Sequence, residues 1–545
     1  MAGIPIDPAI STPIAVAGRV VTMDALGTVL DAAVVYARDG SITAVLPQGI
    51  APPAGFENVP PVQTSGTIYP GLIELHNHLP YDVLALWNVP KQYGDRDQWS
   101  SPATPDYHRL ITGPMSVLGR NDEVVPAIVR YVELRCLLGG TTTSQGVSLA
   151  SSSGIVKHFR GLVRNIESTG DPDLPAATTH IADVDAADAE HFLARISGRQ
   201  KIILHLAEGT DAAARRHFQA LQFAPGRWAI SPNLVGIHCV ALTADDFAIF
   251  AEYGGSMVWS PLSNLLLYGK TADVSAALDH GVPVALGSDW SPSGSKNLLG
   301  ELKVAQLAAQ AFGIGLSSAD LVTMVTTAPA RLLGWQRHLG SIEPGKRADL
   351  IVVAGASGDS YDQLVRATES DIDLVMINGV PRAGTASLMS ALGLGMGERL
   401  TVGGRQRVLN LAQATADPLV EALSAADAIS RLEHALAALG TTRATLPALA
   451  APPRRHVWLA VDGLIDNHMS PRPHLMYRGR VTGPNFRGHV STRPANRPTG
   501  PLPALTLDPL TAVDNPAFYD AINAERNVPS QFGKAWSPSN RSDSA

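Results

Sequence analysis

The sequence predicts an α/β fold: a (β/α)8 TIM-like barrel, a composite β-sandwich domain formed from the two flanks of that barrel, and a C-terminal extension. Three observations carry this. Apolar runs of four or five residues alternate with helical stretches, as in Lys201–His205, Leu234–His238, Ser256–Trp259 and Val282–Leu286. Buried parallel strands covered by helices produce that rhythm. The stretch with this rhythm, residues 69–335, has the length of one barrel, about 250 residues. Short β-branched segments with turn chemistry lie on both sides of it.

Taken in order, residues 1–68 form the N-terminal part of the sandwich, with strands at Arg19–Thr22, Ala33–Tyr36 and Ser41–Val45 punctuated by Gly and Asp-Gly turns. Residues 69–335 are the barrel. Residues 336–410 return to strands at Gly345–Val353 and Asp373–Val380, the second holding an Asn378-Gly379 hairpin signal, and complete the sandwich. Residues 411–545 are a helix followed by a Pro-rich extension. The helix is expected from Pro418 to Leu439, with Asp417 as N-cap, Pro418 at the first position, Gly440 as the stop, and Leu419, Leu423, Ala426, Ile429, Leu432, Leu436 and Leu439 on one stripe. That stripe must pack on something, within the subunit or across a dimer. The remainder reads as irregular and draped.

With 545 residues, 45% of them hydrophobic and 17% charged, the chain supports a large core. Forty-two basic and 49 acidic residues leave a net charge of −7 without strong polarity along the chain. No nucleic-acid footprint or polybasic membrane patch is indicated, so the expected ligand is small. Only two cysteines occur, Cys136 and Cys239; both read as packing residues, and their scarcity suits a reducing compartment. The start lacks a basic region followed by an apolar one, and no apolar run reaches about 18 residues. A cytoplasmic protein that does not span the membrane is expected.

The chemistry gathers at the ends of the apolar runs. Pro70-Gly-Leu-Ile-Glu-Leu-His-Asn-His78 closes with two histidines two positions apart. Residues i and i+2 of a strand point to the same side, so two imidazoles can bind one ion. Among 16 histidines this pairing alone is a weak signal. It gains weight because His205, His238 and Asp289 each sit at, or within three residues of, the C-terminal end of another apolar run, the rim where barrel active sites are built. Neutral imidazoles with one carboxylate suit zinc or a similar ion and leave a position for water.

In this order the residues resemble the amidohydrolase superfamily: Pro70-Gly71 and His76-Asn77-His78, then His205-Leu-Ala-Glu208, His238, and Gly287-Ser-Asp289. The His205-x-x-Glu208 motif is similar to that of the branch containing guanine, cytosine and S-adenosylhomocysteine deaminases and the triazine hydrolases. Leu137–Thr143, Ser260-Pro-Leu-Ser-Asn264, Thr327–Arg331 and Gly340–Leu350 add less specific similarity, over about residues 15–385. The resemblance implies that His76, His78, His205 and Asp289 hold one divalent ion, zinc first and iron as the alternative. It further implies that Asp289 accepts a proton from water, His238 orients the attack and stabilises developing charge, and Glu208 carries a proton to the ring nitrogen or leaving amine. The implied function is hydrolysis of a non-peptide carbon–nitrogen bond, with deamination of a nitrogen heterocycle leading. A cyclic amide or ureide hydrolase using the same site is the alternative, and a barrel that has lost catalysis and serves in binding or assembly is the other class. A homo-oligomer is the family habit.

Binuclear relatives bridge two metals with a lysine near the end of the fourth strand. The lysines between His78 and His205 are Lys91 after the first strand, Lys157 in an expected helix, and Lys201 at the start of the strand ending in His205, with none near Ala176–Ile181. One metal is therefore expected. Trp259-Ser260 stands where relatives often carry cysteine, so no role of that cysteine transfers. For substrate contact the candidates are Tyr81 and Trp87, from an aromatic loop that also holds Tyr93 and Trp99, together with Ser263 and Asn264. His180 reads as structural, since nothing in the sequence pairs with it.

Overall fold

The computed structural model describes residues 13–100, 104–151, 156–180, 183–198, 200–413, 416–420, 423–440, 457–460, 502–529 and 532. A nine-stranded sheet joins the two flanks of the chain. Its order is Glu398–Val402, Arg405–Leu409, Val380–Thr385, Ile372–Ile377, Leu350–Ala354, Val62–Pro70, Ile14–Val21, Val29–Arg38 and Ser41–Pro47. The seam between the flanks is the antiparallel pairing of Leu350–Ala354 with Val62–Pro70. The Asn378-Gly379 turn joins Ile372–Ile377 to Val380–Thr385 with φ of 49° and 73°, the double left-handed conformation for which that dipeptide is suited. Val16, Val20, Val35, Ile68, Val352 and Leu374 fill one face of this sheet, while Ala15, Ala17, Val34 and Tyr36 pack with Phe56 on the other.

Between the flanks lie two parallel sheets. One has five strands, Thr178–His180, Ile202–Leu206, Leu234–His238, Ser256–Trp259 and Val284–Leu286. The other has three, Leu72–Ile73, Thr141–Ser144 and Arg164–Asn165. Backbone hydrogen bonds link them at both edges: Ala177 N donates to Ile166 O at 2.8 Å, and Asp289 N donates to His76 O at 2.9 Å beside a parallel bridge between Asn77 and Asp289. Ile73, Leu75, Ile166, Ile203, Val235, Ile237, Val258 and Ala285 form a common buried cluster. Their side chains alternate with those facing the covering helices, which is why the runs are apolar throughout rather than every second residue.

Three sequence expectations are corrected. The C-terminal helix runs over Ala425–Ala438, with Ser424 as the N-cap whose side chain accepts from Asp427 N. Pro418–Val420 is a turn, because the Asp417 carboxylate is taken by Lys157 Nζ and by Arg160 N. Lys157 itself lies in the strand Val156–His158, not in a helix. The stripe on the helix, through Ala428, Leu432 and Leu436, is covered inside the subunit by the helix Val125–Leu138. The residues from 441 to 456 and from 461 to 501 lie outside the described set, but 502–529 do not drape loosely. They pack on the body of the protein and include a helix at Pro516–Ala524. No helix among the described residues is long and apolar enough to cross a membrane.

Candidate active site

His76 and His78 follow the short strand Leu72–Ile73, His205 lies in Ile202–Leu206, His238 ends Leu234–His238, and Asp289 follows Val284–Leu286. All are buried. Parallel strands bring these C-terminal ends to one side. The Nε2 atoms of His76 and His78 lie 3.2 and 3.3 Å from His205 Nε2, and 3.4 and 3.6 Å from Asp289 Oδ1. The edge of a tetrahedron of ligands each about 2.1 Å from a central ion is about 3.4 Å. The four groups therefore fit a single divalent ion. His238 Nε2 joins from one side, 4.0 Å from Asp289 Oδ2 and 3.7 Å from Glu208 Oε1.

The backbone is strained where these groups sit. Ala207, His238, Cys239 and Asp289 have φ of 50°, 68°, 54° and 61°, a region that non-glycine residues occupy only when the surroundings hold them there. Gly287 shows how tight the packing is: a Cβ there would lie 2.5 Å from His76 Cβ. Burial pushes the His76 imidazole well below its ordinary range, with His238, His205 and His78 adding to the effect. Burial raises the Asp289 carboxyl, opposed by His78 and His238. Neutral imidazoles beside one acid are the state in which both serve as ligands.

A second ring of residues fixes the first. His76 Nδ1 pairs with Ser260 Oγ at 2.7 Å, and His238 Nδ1 with Asn264 Oδ1 at 2.8 Å. Asn264 is an acceptor there, so His238 carries its proton on Nδ1 and presents Nε2 to the site. Tyr268 Oη donates to Glu208 Oε1 at 2.8 Å. Ser260, Asn264 and Tyr268 are spaced by four along the helix Pro261–Tyr268 and its N-cap, so one helix face braces three site residues. Behind His76, burial pushes the Glu74 carboxyl up to about 8 against hydrogen bonds from Ser288.

The residues expected to contact substrate divide. Ser263 Oγ lies 3.4 Å from Ser293 Oγ, and Asn264 is engaged with His238 and with Thr271 Oγ1. Tyr81 packs edge-on to Trp290, with ring centroids 5.0 Å apart, and Trp290 is 5.8 Å from His78. Trp87 lies farther out, against Tyr93 and Tyr107. Trp290, Tyr268, Ser260 and Arg96 escaped the sequence reading. The spacing of Ser260, Asn264 and Tyr268 was the one available signal for two of them, whereas Arg96 and Trp290 carry none. The three lysines are occupied away from the histidines: Lys91 lies over the Tyr93 ring, Lys157 pairs with Asp417, and Lys201 donates to Pro232 O.

Residues 177–382 match the profile of the amidohydrolase family. A 5-methylthioadenosine/S-adenosylhomocysteine deaminase of Symbiobacterium thermophilum is 27% identical over 62% of this chain and 84% of its own length. The enzyme of that name from Caldanaerobacter subterraneus is 33% identical, but the match spans 27% of this chain and only 36% of that relative. Among solved structures, an adenosine deaminase from Xanthomonas campestris with bound zinc superposes with a TM-score of 0.54 at 20% identity, covering 79% of this chain and all of that one.

Proposed function

We propose, on the premise of an amidohydrolase-family domain across residues 177–382, that the protein hydrolyses a non-peptide carbon–nitrogen bond and deaminates a nitrogen heterocycle. In this reading the two parallel sheets are one (β/α)8 barrel and the nine-stranded sheet is the composite domain contributed by its flanks. The observation that carries the function is the convergence of His76, His78, His205 and Asp289 at 3.2 to 3.6 Å. These four groups would hold a single divalent ion, zinc or iron; the engagement of Lys91, Lys157 and Lys201 elsewhere favours one ion over two. Such an ion supplies Lewis acidity, lowering the pKa of water from 15.7 to about 7.

The protein's own residues do the rest. Asp289 takes up the proton of the attacking water through its carboxylate. His238, its tautomer fixed by Asn264, directs the attack from Nε2 and stabilises charge as the carbon becomes tetrahedral. Glu208, protonated, gives its proton to the ring nitrogen; Asp289 passes the water proton to the departing amine, which leaves as ammonia, and the hydroxyl on the tetrahedral carbon returns a proton to Glu208 as the carbonyl forms. Trp290 and Tyr81 offer aromatic faces beside His78 for a flat substrate. A cytoplasmic enzyme is part of this reading, supported by two buried free cysteines.

Ammonia release is the direct test, assayed across 5′-methylthioadenosine, S-adenosylhomocysteine, adenosine, guanine, cytosine, an aminotriazine and a cyclic ureide. Release from an aminated ring supports the proposal, and turnover of the ureide alone replaces it with the amidohydrolase alternative. Glu208→Gln should keep its metal while turnover falls by a factor of about 100 or more; normal turnover would remove Glu208 from the mechanism.

A further inference from the structure

The Glu208 carboxylate is held by a chain of donors with one direction. Trp99 Nε1, which can only donate, bonds to Tyr268 Oη at 2.8 Å. Tyr268 Oη has therefore spent an acceptor site on Trp99, and its own proton points to Glu208 Oε1 at 2.8 Å. All three side chains are buried. Oε1 is also the carboxylate oxygen that faces His238 Nε2, at 3.7 Å. Oε2, by contrast, is buried with no hydrogen-bond partner among the described residues, and lies 3.7 Å from Arg96 Nη1.

We propose that Tyr268, aligned by Trp99, is a positioning residue that fixes the Glu208 carboxyl group, holding Oε1 on the His238 side of the site and stopping rotation between turnovers. Tyr268 keeps its own proton throughout, so Glu208 exchanges the proton it carries with the reacting atoms alone. Burial pushes the Tyr268 phenol well above its ordinary value, with Glu208 adding to the effect, so the hydroxyl does not ionise. This inference rests on Glu208 being the proton carrier.

The test uses the full-length, metal-loaded protein with whichever panel compound it deaminates fastest. A hydrogen bond to a charged group is worth about 1.5–3 kcal/mol, which is about 10- to 100-fold in rate. Tyr268→Phe, which removes only the hydroxyl, should lower kcat by that factor while KM stays within about twofold and metal content is unchanged. Trp99→Phe should lower kcat by less. Because Tyr268 acts only through Glu208, adding Tyr268→Phe to Glu208→Gln should cost nothing further. An unchanged kcat in Tyr268→Phe, a loss confined to KM, or a double variant slower than Glu208→Gln by the full single-variant factor overturns the inference and leaves the deaminase reading intact. Normal turnover in Glu208→Gln removes Glu208 as the proton carrier, and this inference with it, while ammonia release from the panel decides the deaminase reading separately. Should Tyr268→Phe fold poorly, the kcat and KM of Trp99→Phe decide, and equality with the parent protein rejects the donor chain.

Discussion

The histidine cluster and the segment 502–529 both bury charged or ionisable groups, yet they are built in opposite ways. At the strand ends acceptors crowd together: the Nε2 atoms of His76 and His78 stand 3.2 to 3.6 Å from His205 Nε2 and Asp289 Oδ1, an arrangement that a cation at the centre makes favourable. In the C-terminal segment the buried Asp508 is matched. Asp508 receives Arg135 Nη1 at 3.0 Å, Lys296 Nζ, and Asn515 Nδ2 at 3.0 Å, while its backbone N donates to Val83 O at 3.1 Å. Burial lowers Lys296 to about 8, and Asp508 pulls it back. Buried charge is thus not in itself a mark of function. The mark is charge that the protein leaves uncompensated.

Four substitutions sharpen that contrast. The largest effect belongs to the matched region. Asp508→Ala strands two buried cations, and removing one partner of such a set costs about 3–5 kcal/mol. Urea unfolding should show this loss, while the metal content of the surviving folded fraction stays that of the parent. A neutral effect would mean that the segment is an ornament on a self-sufficient body.

In the uncompensated region the expected loss is of metal rather than of fold. Ser260→Ala deprives His76 Nδ1 of its partner and should weaken metal affinity about 10- to 100-fold, measured by competition with a chelator, with little change in the unfolding midpoint. If stability falls instead and affinity holds, Ser260 belongs with packing.

Glu301 sits between the two designs, a lone buried acid whose carboxyl burial pushes up to about 8 although Ser295 and Leu262 N donate to it. The folded state then binds more protons than the unfolded one between pH 4.5 and 8, so stability falls as pH rises through that window. Glu301→Gln should flatten the slope by at most about 1.4 kcal/mol per pH unit. An unchanged slope would show that the acid is already ionised in the folded protein.

The smallest change concerns the support of the segment. Leu505 N donates to Leu436 O at 3.0 Å, so the segment starts on the helix that Ser424 caps. Ser424→Ala should cost about 1 kcal/mol of unfolding free energy and leave metal affinity untouched. A drop in metal affinity would couple the two regions.

The histidine cluster was legible in the sequence because strand geometry does the arithmetic. His76, His78, His205, His238 and Asp289 lie at run ends, and parallel strands carry run ends to one side. The bracing residues were not legible to the same degree. Tyr268 could be placed only through its helical spacing from Asn264, and Arg96 opens the short helix Arg96–Ser100 after the first histidine pair. Its position depends on a backbone bridge between Asp95 and Gly209 that no local pattern encodes. The flank strands were readable from turn chemistry, Asn378-Gly379 above all. The helix start was misread because Asp417 and Ser424 are both good N-caps, and a tertiary contact to Lys157 and Arg160 chose between them. Asp508 is the clearest failure of local reading: one acid in a Pro-rich stretch, given meaning only by Arg135 and Lys296.

Arg135 and Lys296 precede their shared counter-ion by 373 and 212 positions. On the ribosome these cations emerge long before residue 508 has been translated. The central body must therefore remain loosely consolidated until late in synthesis, and a nascent chain stalled before that point presents the exposed surface that chaperones engage.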